Sequence, residues 1–266
     1  MEKYNVKFKK KFGQNFLKDD SVVKEIVDIS GITNNDLAIE VGPGGGILTK
    51  ELANQAKYVL AYEIDTDLSN ELSQKLSCFN NIDILFKDFL QSDIKKDIEN
   101  YQYDHIYFIS NVPYYITTPI VMKLIDSGIN FQKIVMMVQK EVGDRFSSQP
   151  GSKSYSSISV FLGYYYHVKK EFFVSKNEFI PKPNVDSVII SFTERKEKEE
   201  VLDLPFFHQL VRDSFLFKRK NLKNNLKKYD LQKIASVLEK YGYDLSVRAE
   251  QLDIKIFVDI ANYLVI

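Results

Sequence analysis

Residues 37 to 46 read LAIEVGPGGG, a short apolar run that ends in a glycine-rich loop. An apolar run without strict alternation is typical of a strand buried on both faces of a parallel sheet. Four further runs of this kind are separated by stretches with helical patterning: YVLAYEI (58 to 64), IDILF (82 to 86), HIYFIS (105 to 110) and KIVMMVQ (133 to 139). This alternation predicts an α/β fold with a doubly wound sheet.

Helical patterning opens the chain, and two strand-like segments follow the parallel runs. Residues 21 to 32 (SVVKEIVDISGI) predict an amphipathic first helix, because their apolar residues recur at helical spacing. The segments SISVFLGYYYHV (157 to 168) and SVIISFTE (187 to 194) have no clear helix between them. We expect them to form an antiparallel pair that finishes the sheet.

The mixed-charge run ERKEKEE (194 to 200) interrupts these patterns and indicates a linker. Beyond it we find only helical periodicity. Three apolar faces carry it: Phe207, Leu210, Val211 and Phe215; Leu231, Ile234, Leu238 and Tyr241; and Phe257, Ile260 and Leu264. We therefore expect a first domain over residues 1–195, a charged linker over 196–203 and a small all-helical domain over 204–266.

Composition is that of an ordinary globular protein. With 266 residues, 44% of them hydrophobic and 27% charged, the chain can bury a full core. The single Cys78 excludes an intrachain disulfide, and three scattered histidines lack metal-ligand spacing, so we expect no metal site. No apolar run approaches the length of a membrane span, and the N-terminal lysines have no apolar stretch behind them. We expect a cytoplasmic protein with no membrane partner.

The charges are balanced overall but unevenly placed. A formal net charge of zero argues against a strongly basic nucleic-acid binder. However, lysines crowd the first eleven residues, and KRKNLKNNLKK (218 to 228) holds six cations and no carboxylate. Each cluster is either ordinary solvated surface or a phosphate-binding patch. The candidates for phosphate contact are Lys9, Lys10, Lys218, Arg219, Lys220, Lys223 and Lys227.

The loop after the first parallel strand has the spacing E-x-G-x-G-x-G, from Glu40 to Gly46. Glycines there let the backbone turn tightly and approach a ligand closely. The nicotinamide fingerprint would require a glycine three residues after Gly44, where this chain has Ile47. The spacing favours a nucleoside bound without a pyrophosphate, although a glycine-rich turn without any ligand is the alternative.

Acidic side chains follow the next two strands. Glu63 ends the second strand, where a carboxylate can accept hydrogen bonds from both hydroxyls of a ribose. Asp88 follows the third strand, where it can accept the amino protons of an adenine. Each acid alone would be read as a surface residue. Together with the glycines, at successive strand ends, they predict a nucleoside site.

The fourth strand ends in SNVPYY (110 to 115). The exocyclic amine of adenine is a poor nucleophile because its lone pair is delocalised into the ring. If the Asn111 side-chain oxygen and the carbonyl of Val112 or Pro113 accept its two N–H groups, the lone pair localises on nitrogen. The Tyr114 ring can stack on the base and stabilise the cation that forms. A turn capped by Asn111 beside core tyrosines is the structural alternative.

These motifs resemble those of the small-subunit ribosomal RNA adenine dimethyltransferase family over nearly the whole chain. The similar segments are FGQNFL (12 to 17), EVGPGGG (40 to 46), EID (63 to 65), NVPYYITTP (111 to 119), FIPKPNVDSV (179 to 188), KRKNLKNNL (218 to 226) and RAEQL (248 to 252). The resemblance implies a Rossmann-like methyltransferase domain followed by a helical domain that docks on rRNA. It also implies transfer of two methyl groups to N6 of each of two adjacent adenosines near the 3′ end of small-subunit rRNA.

The resemblance implies S-adenosylmethionine as the cofactor. Asn15 and Leu17 would lie near its methionine end, Gly42 beneath it, Glu63 at the ribose and Asp88 at the adenine. We expect the protein to act as a monomer on rRNA within a pre-ribosomal small subunit. One departure from the family is the zero net charge, which is low for an RNA enzyme.

At the target, Asn111 would contact both the cofactor and the amine, with Pro113 fixing the turn. Phe179 would stack on the target base opposite Tyr114, unless it is a core phenylalanine at a loop end. Val112 stands where the family more often has leucine or isoleucine.

Three other functions share some of these motifs. A large-subunit rRNA adenine methyltransferase that confers antibiotic resistance has the same N-x-P-Y sequence, but Tyr115 and the basic segment favour the first family. A ribosome-assembly factor that has lost catalysis would not need Asn111, Pro113 and Tyr114 intact. A DNA adenine methyltransferase usually has a second proline at the position of Val112.

Overall fold

The computed structural model describes residues 16–18 and 20–266, and these form two compact units. The first unit contains the described residues up to Lys140 together with Lys169–Thr193. The second contains Glu141–Val168 and Glu194–Ile266. The division differs from the expected domains because Glu141–Val168 groups with the helical unit, although its last three residues begin strand β7 of the sheet.

Seven strands form one sheet in the order β4-β3-β2-β5-β6-β9-β7, and β1 pairs with β8 in a separate two-stranded ribbon. The strands are β1 (Phe16–Leu17), β2 (Leu37–Val41), β3 (Tyr58–Tyr62), β4 (Ile82–Leu85), β5 (Ile106–Asn111), β6 (Lys133–Gln139), β7 (Tyr166–Val174), β8 (Phe179–Ile180) and β9 (Ser187–Glu194). Strands β2 to β6 are parallel, and β9 runs antiparallel to β6. The doubly wound sheet predicted from the five apolar runs is therefore confirmed.

Helices connect the strands and build the second unit. They are α1 (Asp20–Ser30), α2 (Ile47–Gln55), α3 (Ser69–Lys75), α4 (Ile94–Ile98), α5 (Thr117–Asp126), α6 (Lys140–Phe146), α7 (Ser157–Tyr165), α8 (Leu204–Ser214), α9 (Leu222–Asn225), α10 (Leu231–Glu239) and α11 (Ile254–Val265). No helix among the described residues is long and apolar enough to span a bilayer.

The strand expected over residues 157 to 168 is wrong for its first nine residues, which form helix α7. Ser156 precedes this helix, and its backbone N–H donates to Oγ of Ser159 at 3.1 Å, as in a helix N-terminal cap. The apolar residues of α7 pack into the core of the second unit. A short apolar run fits a buried helix as well as a strand, so the pattern alone did not separate them.

The core of the second unit confirms the helical faces read from the sequence. Phe207, Leu210 and Val211 of α8 are fully buried, as are Ile234 and Leu238 of α10. Residues 195 to 203, predicted as part of a linker, contain no helix or strand. They are nonetheless tied to the second unit, because the Tyr164 hydroxyl donates to the Glu199 carbonyl at 3.0 Å and the Asn262 amide to the Glu200 carbonyl at 2.7 Å.

The parallel register brings the carboxyl ends of four strands to one edge of the sheet. Val41 of β2 lies opposite Tyr62 of β3, which lies opposite Leu85 of β4. Ligands of open α/β sheets bind beyond this edge. The residues that follow these strands are those singled out in the sequence.

Candidate functional site

A cavity of about 220 Å³ opens beyond the carboxyl ends of β2, β3, β4 and β5 in the first unit. Its wall contains most of the predicted site residues: Leu17, Gly42, Glu63, Asp88, Asn111, Pro113 and Tyr114. Asn15, Lys9 and Lys10 lie outside the described residues. Glu40, Ile64, Leu90 and Tyr115 also line the cavity and were not assigned a ligand from the sequence.

The glycine-rich loop forms one wall in a conformation that favours glycine. Gly42 has a φ of +74°, and a Cβ atom there would lie 3.7 Å from Cδ of Pro113. Its amide donates to the Tyr62 carbonyl at 2.8 Å, which ties the loop to β3. Any larger residue at position 42 would be strained and would fill space between the loop and the Pro113 turn.

Glu63 is 4% exposed and organises the loop after β3. Its Oε2 accepts from the Gly44 amide at 3.3 Å, and its Oε1 accepts from the Asp65 amide at 2.8 Å. Burial raises the pKa of Glu63, and these backbone hydrogen bonds act against that rise. Because each carboxylate oxygen has two lone pairs, both can still accept from a ligand hydroxyl.

Glu40 is a buried acid in the cavity wall with one orphaned oxygen. It is 1% exposed, and Oε2 has no hydrogen-bond partner among the described residues. Burial, together with the charge of Glu63, raises the pKa of Glu40 from its ordinary 4.5 to about 8. Thr49 acts in the opposite direction, but its own Oγ1 also lacks a partner there, so no well-aligned hydrogen bond joins the two groups. A cationic ligand group would satisfy Glu40.

Asp88 begins a 3₁₀ turn over Phe89–Gln91 at the end of β4. Its Oδ1 accepts from the Leu90 amide and its Oδ2 from the Gln91 side chain, both at 2.9 Å. Ile64, 49% exposed, adds an apolar surface to the same cavity. An exposed apolar side chain beside a half-buried carboxylate is a suitable environment for a planar heterocycle with amino protons.

The segment after β5 turns sharply at Pro113. Its carbonyl accepts from the Ile116 amide at 3.1 Å, which starts a 3₁₀ turn over Tyr114–Ile116. The Tyr114 hydroxyl and Oγ of the fully buried Ser187 lie 2.7 Å apart, so β9 fixes the position of the Tyr114 ring. Burial raises the pKa of Tyr114, which keeps its hydroxyl neutral. Tyr115 is 60% exposed at the cavity.

Phe179 does not line the cavity. It is 1% exposed and belongs to the core that also contains Val174 and Ile189, and on β8 it is paired with Leu17 of β1. In this position it is the core phenylalanine that the sequence left as an alternative. Its stacking on a target base stays a prediction and would require the ring to leave this core.

The family described as "Ribosomal RNA adenine dimethylase" matches residues 5–265. This chain is a member of the ribosomal RNA adenine dimethylase family. The family match therefore covers both units and every loop that lines the cavity.

Relatives of this dimethylase carry the name "Ribosomal RNA small subunit methyltransferase A". The protein of Oceanobacillus iheyensis is 42% identical over 268 residues, which is 98% of this chain and 91% of that protein. The protein of Ligilactobacillus salivarius is 42% identical over 274 residues, which is 100% of this chain and 93% of that protein.

Solved structures resemble the dimethylase over its full fold. A dimethyladenosine transferase from Plasmodium falciparum superposes with a TM-score of 0.76 at 25% identity, covering 92% of this chain and 95% of that one. The 23S rRNA methyltransferase ErmE superposes with a TM-score of 0.74 at 25% identity, covering 94% and 100%. The two structures thus resemble the dimethylase about equally.

The basic segment of the dimethylase, Lys218–Lys228, lies in the second unit. Leu222 and Leu226 are fully buried in the core of this unit and anchor the segment to it. Its cations are exposed: Lys218, Arg219, Lys220, Lys223, Lys227 and Lys228. Contact of these cations with RNA stays a prediction. Among residues 16–18 and 20–266, no group of three potential metal ligands is present.

Proposed function

We propose that the chain transfers methyl groups from S-adenosylmethionine to N6 of two adjacent adenosines near the 3′ end of small-subunit rRNA, giving N6,N6-dimethyladenosine during ribosome assembly. One observation carries the proposal: the glycine loop, Glu63, Asp88 and the Asn111–Tyr114 turn meet at a single cavity. The names of the relatives support the small-subunit target.

The cavity wall fits the proposed cofactor. The orphaned Oε2 of Glu40 suits the ammonium of the methionine moiety. Gly42, whose φ of +74° favours glycine, leaves open the space beside Pro113 that a side chain would occupy. Glu63 would accept the ribose hydroxyls and Asp88 the adenine amine, with Ile64 against the ring. Leu17, 2% exposed, would close the methionine end, and Asn15 would lie beside it. When bound, S-adenosylmethionine supplies an electrophilic methyl carbon on a sulfonium sulfur.

The residues after β5 would activate the target amine. The Asn111 oxygen accepts one N–H group, and the carbonyl of Val112 or Pro113 accepts the second; the Pro113 carbonyl already accepts from the Ile116 amide but has a second lone pair. Withdrawing both hydrogens from the ring plane localises the lone pair for attack on the methyl carbon. The Tyr114 ring, held by Ser187, stabilises the cation that forms. Transfer would form the N–CH₃ bond and break the S–CH₃ bond, S-adenosylhomocysteine would leave, and the methylated nitrogen would lose its proton to water.

Docking on RNA would use the basic segment, with Lys9 and Lys10 as further candidates. We propose that the protein binds rRNA within a pre-ribosomal small subunit as a monomer, in the cytoplasm where the subunits assemble. Phosphate binding by exposed lysines releases counterions, so this contact should weaken as salt rises.

Incubation of undermethylated small subunits with the protein and S-adenosylmethionine, followed by mass spectrometry of the rRNA, tests the proposal. Dimethylation of two adjacent adenosines is the expected result. Modification of large-subunit RNA alone would support the function named for the ErmE structure instead. Binding of subunits without any methyl transfer would support an assembly factor without catalysis.

A further inference from the structure

A turn between α8 and α9 exposes two large apolar side chains on the second unit. Leu216 is 64% exposed and Phe217 is 58% exposed, directly before Lys218, Arg219 and Lys220. Burying large apolar side chains is normally favourable, so two adjacent side chains of this size that stay exposed forgo stabilisation that the folded chain could have gained. A function at this surface would account for their exposure.

The turn is built to hold Phe217 outward. Asn225 is 8% exposed, and its side-chain oxygen accepts from the Phe217 amide at 3.1 Å while its side-chain nitrogen donates to the Ser214 carbonyl at 2.7 Å. The Phe217 carbonyl accepts from the Lys220 amide at 2.8 Å. Because both backbone groups of Phe217 are fixed, ordering this turn at a binding partner costs little conformational entropy.

The surroundings of the turn are positive. Lys218, Arg219, Lys220 and Lys223 form no ion pair with any carboxylate in the described part of the chain. Lys218 is fixed by a hydrogen bond from its Nζ to the Lys153 carbonyl at 2.9 Å. The acid at the end of α8, Asp213, is already neutralised by Lys228 at 2.8 Å.

We propose that Phe217 stacks on an unpaired base of small-subunit rRNA, with Leu216 against the sugar, while the neighbouring cations bind the flanking phosphates. An aromatic face beside unpaired cations matches single-stranded RNA, where bases stack on aromatic rings between charged phosphates. A protein partner would instead need acidic groups opposite these cations. The inference rests on the proposed docking of the basic segment.

The salt dependence of RNA binding separates stacking by Phe217 from phosphate binding by the cations. We expect Phe217→Ala to weaken binding to small-subunit rRNA by about tenfold at every salt concentration, because stacking releases no counterions. Lys223→Ala should weaken binding and also lower the slope of log K against log salt by about 0.7 to 0.9. The measurement is fluorescence anisotropy with a deproteinised fragment of the rRNA.

Three further variants sharpen the test. Phe217→Tyr should bind like wild type, whereas Phe217→Leu, which keeps apolar area but loses the aromatic face, should bind like Phe217→Ala. Phe173→Ala removes a phenylalanine that is 61% exposed in the first unit and should bind like wild type. Cofactor affinity should be unchanged in all of them.

The outcomes distinguish this inference from the proposed function. Wild-type affinity of Phe217→Ala beside a weakened Lys223→Ala would overturn the stacking but leave the docking intact. If neither variant changes RNA binding, the docking itself is wrong. Loss of affinity for whole subunits but not for the rRNA fragment would assign Phe217 to a ribosomal protein and overturn the inference.

Discussion

Glu63 accepts hydrogen bonds from two backbone amides, Gly44 in the glycine-rich loop and Asp65 in its own loop, and it is also the proposed ribose ligand. We expect Glu63→Gln, which keeps the Oε1 acceptor, to stay folded, and Glu63→Ala to weaken S-adenosylmethionine binding by about 1.5 to 3 kcal/mol, the usual range for hydrogen bonds to a charged group. Isothermal titration calorimetry measures the affinity, and thermal denaturation checks the fold. Unchanged affinity in a folded Glu63→Ala would contradict the assignment.

Asn111 is proposed to act most strongly as positive charge develops on the amine. Asn111→Ala should therefore lower the single-turnover rate by about 10² or more at saturating substrate. Its affinity for small-subunit rRNA should stay within about twofold of the wild-type value, because RNA docking is assigned to the second unit. A near-normal rate would mean that the amine is activated by another group.

We expect the buried carboxyl of Glu40 to release a proton when the cofactor binds. With a pKa of about 8 it is protonated at pH 6.5, and a bound ammonium should make it ionise. We expect proton release at pH 6.5, measured by calorimetry in buffers of different ionisation enthalpy, and none in Glu40→Gln. The same pKa affects folding. The unfolded acid ionises near pH 4.5 and the folded one near pH 8, so the contribution of Glu40 to the free energy of unfolding falls as pH rises between those values.

Residue by residue, the sequence identified the acids and the N-x-P-Y turn because they follow strands whose ends must meet. It did not assign a ligand to Glu40, which was noted only for its spacing before the glycines. An orphaned oxygen is a property of packing, and a single sequence does not reveal it. The burial of Phe179 likewise depends on the pairing of β8 with β1, two strands too short to show a pattern.

At the scale of elements, β9 supports the proposed catalytic turn, because Ser187 and the Tyr114 hydroxyl share a hydrogen bond. Removing the hydrogen bond between Ser187 and Tyr114 should cost about 1 kcal/mol of positioning energy. We expect Ser187→Ala and Tyr114→Phe each to lower turnover several-fold without changing cofactor affinity. If the bond is the cause, the double variant should be no slower than either single variant. Additive losses in single-turnover rates would show that the two groups act separately.

The parallel strands were predictable because burial on both faces leaves continuous apolar runs, and β9 was predicted over its full length. Helix α7 was not, because an equally continuous run is buried there as a helix. What decided between the two was the Ser156 to Ser159 cap and the core supplied by α8 and α11, which lie far along the chain. The local sequence pattern showed that this segment is buried, but it did not show which part of the chain buries it.

For the whole molecule, the basic segment should control RNA binding independently of the cofactor cavity. We expect the triple variant Lys220→Glu, Lys223→Glu and Lys227→Glu to fold and to bind S-adenosylmethionine normally but to lose methylation of small subunits. A charge-matched control changes the exposed Lys50, Lys95 and Lys96 of the first unit to glutamate. Filter assays with labelled methyl groups measure the methylation rate of the triple variant and of its control. A wild-type methylation rate in the Lys220, Lys223 and Lys227 variant would contradict this assignment and make the N-terminal lysines the better candidates for RNA docking.

The second unit is built from two separate stretches of chain, and this affects how it can be made. During synthesis, Glu141–Val168 leaves the ribosome well before Glu194–Ile266. Val160, Phe161 and Tyr164 of α7 are buried against residues from that later stretch. In the nascent chain these side chains therefore remain uncovered while the sheet is being completed by Lys169–Thr193. During its own synthesis, the protein therefore passes through a stage in which the apolar side chains of α7 are exposed at the surface of the ribosome that makes it.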